Sequence, residues 1–109
     1  MAVKESLEKF DKKDILFSLH SAIILEERKL EKDFILDKLF DFESLEAEAK
    51  QNGTSLLIYG HTSKYHIVIV ISTENSRPKI VTAFKSSKKI EKLLKRAKGT
   101  IMYTKRYET

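Results

Sequence analysis

The sequence predicts an α+β fold: one antiparallel sheet of four or five strands, packed by two N-terminal helices and one basic C-terminal helix. Three observations lead there. Residues 56–60, 65–71 and 80–84 are apolar, β-prone runs (LLIYG, YHIVIVI and IVTAF). The connections between them are too short for a parallel crossover, so neighbours must run antiparallel. The middle run is apolar at both odd and even positions from Ile67 to Ile71, so both of its faces need cover. That makes 65–71 the central strand, with layers on either side.

The flanking elements follow in chain order. Val3, Leu7 and Phe10 suggest a short amphipathic helix over 3–10. Ser18 suits an N-cap. A helix over 19–28 follows, with Leu19, Ala22 and Ile23 on its buried stripe. Lys29–Lys32 is a turn. Phe34, Ile35, Leu39 and Phe42 place a second helix over 32–41. Leu45, Ala47 and Ala49 alternate with Glu46, Glu48 and Lys50. Period two indicates an edge strand with a solvated charged face, a helix extension being the competing reading. Asn52-Gly53 is a hairpin turn signal. After the sheet, Ser86-Ser87 precedes a helix over 88–98 with an Ile90, Leu93, Leu94, Ala97 stripe. Gly99 sits at the C′ position. Thr100–Thr104 has strand propensity and either adds a final strand or docks as a tail.

Length bounds the organisation. A chain of 109 residues makes a single domain over 1–109. It has no cysteine, so disulfides, zinc-thiolate sites and thiol nucleophiles are excluded. There is no secretory h-region and no apolar run able to span a bilayer, which points to a cytoplasmic protein without membrane contact. Three glycines leave no phosphate-cradling loop, and no nucleotide-binding fingerprint is present.

Charge is unevenly placed. Residues 1–76 carry 10 Lys/Arg against 14 Asp/Glu, and residues 77–109 carry 11 against 2. Such a basic third creates a positive potential on one side of a small domain. Nucleic acid is the natural partner for it, a merely solvated face and an acidic protein being the other readings. Lys85, Lys88, Lys92, Lys95 and Arg96 are the candidate phosphate contacts. Tyr59, Tyr65 and Phe84 are candidates for base stacking or for the core. His20, Arg28 and His66 are the candidate catalytic set. A histidine supplies a general acid or base, and an arginine stabilises a pentacoordinate phosphorane-like state, as metal-independent RNA cleavage requires. Against this, His20 has an ordinary structural role open to it, and Arg28 an ion pair with Glu31 or Asp33. Three histidines at these spacings indicate no metal site and no cofactor.

The segment His20-Ser21-Ala22-Ile23-Ile24-Leu25-Glu26-Glu27-Arg28-Lys29-Leu30 resembles the pattern H-A-x-x-R-M-x-E-R-x-I. A second helix follows it, then a meander with Tyr59, Gly60, His66, Ile80, Val81, Thr82 and Phe84 at matching places. This layout resembles the domain-of-unknown-function family 4258, similar in fold to the BrnT and RelE toxin ribonucleases. The likeness spans about residues 14–85. It implies a metal-independent endoribonuclease or an RNA-binding relative, with an antitoxin-like protein as a second possible partner. Ile24 stands where the pattern has its first arginine. That departure favours a non-catalytic binding or interaction module as the alternative.

Overall fold

The computed structural model describes residues 3–51, 53–74, 76–95 and 100–103. Four helices, α1 (Val3–Leu7), α2 (Leu19–Glu27), α3 (Lys32–Leu39) and α4 (Ile90–Lys95), accompany six strands. The strands are β1 (Leu16–Phe17), β2 (Leu45–Gln51), β3 (Thr54–Gly60), β4 (His66–Ser72), β5 (Lys79–Ser86) and β6 (Thr100–Tyr103). They form one sheet in the order β1-β5-β4-β3-β2-β6.

The antiparallel meander β3–β4–β5 forms as its apolar runs predict, with Gly60 opposite His66 and Val68 opposite Phe84. The sheet as a whole departs from expectation in two ways. It is mixed, because β1 pairs in parallel with β5, Leu16 opposite Lys79 and Phe17 opposite Ile80. It also has six strands rather than four or five. A two-residue strand is too short to show any periodicity in sequence. Nor does β2 lie at the edge, since β6 pairs along its outer side.

Both faces of the sheet are covered, as the two-faced β4 requires. On one side Leu57, Tyr59, Ile67, Ile69 and Ile71 pack with Leu7, Leu25, Ile35 and Leu39 of α1, α2 and α3. On the other, Ala47, Ala49, Ile58 and Val68 pack with Ile90, Leu93 and Leu94 of α4. Each fully buried large aliphatic side chain contributes about 1.5–3 kcal/mol. Among the described residues no helix is long and apolar enough to cross a membrane.

Local chemistry sets the element ends. Ser18 caps α2, its hydroxyl accepting the Ser21 amide at 3.0 Å. The far end of α2 closes without glycine: Lys29 takes the left-handed conformation at φ 58°. Its amide donates to the Glu26 carbonyl and the Leu30 amide to the Leu25 carbonyl, the paired bonds of a Schellman closure. Gly53, at φ 79°, turns β2 into β3, and a Cβ there would overlap the Glu74 carboxylate.

The orientation of α2 also differs from expectation. Its buried stripe runs through Ser21 and Leu25, while Leu19 is 79% and Ile23 48% exposed. The helix is apolar nearly all round, so periodicity did not single out the face that meets β5. Ala97, Gly99 and the tail from 104 lie outside the described residues.

Candidate nucleic-acid interface

The basic residues collect where β5 passes into α4. Lys85, Lys88 and Lys89 are exposed along that passage, and Lys92 and Lys95 are exposed on α4. The same helix turns Ile90, Leu93 and Leu94 inward, so the 3.6-residue period itself puts lysines outside. Ser86 Oγ accepts the Lys88 amide at 3.1 Å and fixes the start of the turn. Among the described residues no ion pair ties any of these five lysines to a carboxylate; the pairs present are Lys12–Asp37, Lys38–Asp41 and His66–Glu46. Lys85 instead places its ammonium 4.7 Å from the ring centre of Tyr65. Arg96 lies outside the described residues.

Tyr59 is not part of this surface. It is fully buried, and its hydroxyl donates to the Leu39 carbonyl at 2.7 Å. Burial pushes its phenol far above the ordinary range, with the Glu48 and Asp41 carboxylates adding to the effect. The ring therefore has no face to offer a base, and the base-contact expectation for Tyr59 is corrected to a core role. The reason is parity: Tyr59 points to the same side as Leu57, beneath α3.

The expected catalytic set is not assembled. His20 is exposed in the first turn of α2, and Arg28 caps the last, eight residues on; that is about 12 Å of helix. Arg28 Nη1 donates to Thr82 Oγ1 at 3.0 Å and to the Ala83 carbonyl at 2.7 Å. Its guanidinium lies 5.7 Å from the centre of the Phe84 ring. It thus covers the stretch of β5 that β1 is too short to pair, and makes no ion pair with Glu31 or Asp33. Among the described residues no hydrogen bond or ion pair joins any two of His20, Arg28 and His66.

His66 has a partner that sequence reasoning missed. Its Nε2 stands 3.0 Å from Glu46 Oε2. A register shift in β2 between Leu45 and Ala47 breaks the strict alternation, and Glu46 reaches the α4 side, where His66 also points. Glu46 is 3% and Glu48 1% exposed. Both had been expected on a solvated edge, but β6 closes that edge. No local signal marks the bulge; the strand propensity of Thr100–Thr104 was the available hint that β2 has two neighbours. Which of the two groups donates in this contact depends on the tautomer of the ring. His66 Nδ1 is buried with no hydrogen-bond partner among the described residues. Burial lowers the ring's pKa, because the charged form loses hydration.

The depression beside this pair, formed by Glu43, Glu46, Gly60 and the loop His61–Ser63, presents carboxylates and suits no phosphate. Among the described residues no three His, Cys, Asp or Glu side chains are grouped to hold a metal ion. No family model, curated protein or solved structure matches the chain.

Proposed function

We propose that this chain is a nucleic-acid-binding domain whose natural ligand is cytoplasmic RNA, held by the basic face at the end of β5 and along α4. The observation that carries this reading is the run of five exposed lysines from Lys85 to Lys95, none paired with a carboxylate among the described residues. Unpaired lysines in a row raise the local potential and release counterions when they meet phosphates. The sequence likeness to the BrnT and RelE toxin groups supports RNA as the polyanion.

Binding without cleavage fits the geometry better than catalysis. His66 lies opposite Ser86 at the end of β5, but its Nδ1 is buried and its Nε2 is engaged by Glu46. A general base must reach the 2′-hydroxyl proton directly or through one water. The Glu46–His66 pair is the one observation favouring a ribonuclease, since a carboxylate orienting an imidazole is a common acid–base arrangement.

The test is RNA affinity against salt. A fluorescent single-stranded RNA should bind with a steep negative salt slope. Replacing Lys88, Lys92 and Lys95 together by Gln should flatten the slope by about two units, at about 0.7 per phosphate contact. An unchanged slope would leave the lysines as a solvated face and turn attention to an antitoxin-like or other acidic protein partner. Labelled RNA incubated without metal, beside His66→Ala and His20→Ala, reads the cleavage alternative: no cleavage is expected from any of the three. Parent activity abolished by either substitution would restore the ribonuclease.

A further inference from the structure

We propose that Tyr65 is a base-stacking site for single-stranded nucleic acid, one face of its ring held by the Lys85 ammonium and the other offered to a base. This rests on the RNA-binding reading above and adds to it a preference for single strands over duplex. Among the described residues the large exposed apolar side chains are Leu19, Ile23 and Tyr65. Tyr65, at 38%, is the most exposed of the phenylalanine and tyrosine side chains whose burial is described. Tyr59 is buried, and Phe84 is half-buried with Arg28 beside it.

The ring is pre-positioned. The Tyr65 amide donates to Thr62 Oγ1 at 3.1 Å, and its carbonyl accepts the Thr62 amide at 3.1 Å. The Lys64 amide shares the same hydroxyl at 3.3 Å. Binding therefore spends little entropy on ordering this loop. A lysine 4.7 Å from the ring centre restrains the side chain further, and the residue keeps 38% of its surface exposed.

Phosphate partners sit beside the ring. Tyr65 immediately precedes His66, whose strand neighbour across the sheet is Ser86. Ser86 in turn holds the Lys88 amide. A base on Tyr65 thus has Lys85 close by for its backbone. That is the combination of aromatic platform and basic track by which single strands are held without sequence preference. A duplex keeps its bases stacked inside and has none to give the ring.

The experiment compares fluorescent oligouridine, the same strand carrying abasic sites, and a duplex of equal length, against the parent, Tyr65→Ala and Tyr65→Phe. Tyr65→Ala should weaken oligouridine binding about 5- to 100-fold and leave the salt slope and duplex affinity unchanged. Tyr65→Phe should bind within about twofold of the parent. Abasic strands should bind the parent more weakly, a readout that needs no variant and stands even if Tyr65→Ala misfolds. Parent-like oligouridine binding by a folded Tyr65→Ala, with the lysine variant still impaired, would overturn the stacking site while leaving the basic face intact. Equal loss on single strand and duplex would also overturn it. A parent that binds no nucleic acid would overturn both readings.

Discussion

Replacing Tyr59 by Phe removes one oxygen from the middle of the molecule and nothing else. The ring stays packed among Leu57, Ile67 and Leu39. What is lost is the 2.7 Å hydrogen bond to the Leu39 carbonyl. That carbonyl belongs to the last residue of α3, where the helix has no further amide to satisfy it. A neutral hydrogen bond contributes about 0.5–1.5 kcal/mol net, and a buried carbonyl left without a partner costs about 1–3 kcal/mol. Removing the hydroxyl also relieves its own burial, so the expected loss is about 2 kcal/mol. For a domain of this size that lowers Tm by on the order of 10 °C. Urea unfolding followed by far-UV circular dichroism should show a lower midpoint at unchanged m. A loss under about 0.5 kcal/mol would mean that water or another donor already serves Leu39. RNA affinity should not change, because the phenol is out of reach of any ligand. Weakened RNA binding at parental stability would return Tyr59 to the interface.

Two further outcomes follow from the described geometry. Burial holds the His66 pKa below the ordinary 6.5 in the folded state, so between the two values the unfolded chain binds more protons. The contribution of His66 is then fully present above about 6.5 and is lost as pH falls towards the folded value; denaturation midpoints taken from pH 7.5 to 5 should fall more steeply for the parent than for His66→Gln, and identical slopes would contradict it. Lys29→Gly should raise stability by roughly 0.5–1 kcal/mol, because glycine takes the left-handed φ of 58° without the Cβ penalty that a lysine bears. A lowered thermal midpoint would show that the Lys29 side chain contributes more than its backbone strain costs.

The parts of the fold legible in sequence were those whose signals are local. β3, β4 and β5 read clearly because each apolar run is bounded by polar turn residues, and Ser18 and Gly53 perform the roles that their chemistry suggests. What was hidden depends on partners far along the chain. The short Leu16–Phe17 strand has no pattern of its own and exists because Lys79 and Ile80 accept it. Glu46 and Glu48 looked solvated because the strand that covers β2 comes fifty residues later. Two tyrosines at neighbouring strand ends, Tyr59 and Tyr65, looked alike as candidate base contacts. Only the placement of α3 buries the first, and only the Thr62 turn presents the second. Arg28 matched a motif position, yet the structure gives it a strand edge to cover. Motif spacing records which residues recur, not which groups they touch.

The parallel pair β1–β5 carries a consequence for biosynthesis. Leu16 and Phe17 are made well before their pairing partners Lys79 and Ile80, which open the last strand of the meander. β2 likewise waits for β6 before its outer side is closed. Leu7, Leu25, Ile35 and Leu39 of α1, α2 and α3 pack on β3, β4 and β5, so their cover is complete only once β5 has been made. Non-local closure of this kind slows folding, and unpaired edges invite mispairing while it is awaited. Residues 3–39 are therefore the part that waits longest for its packing partners. A synthesis pause placed after β5, rather than before it, is the one that would let the helical layer settle.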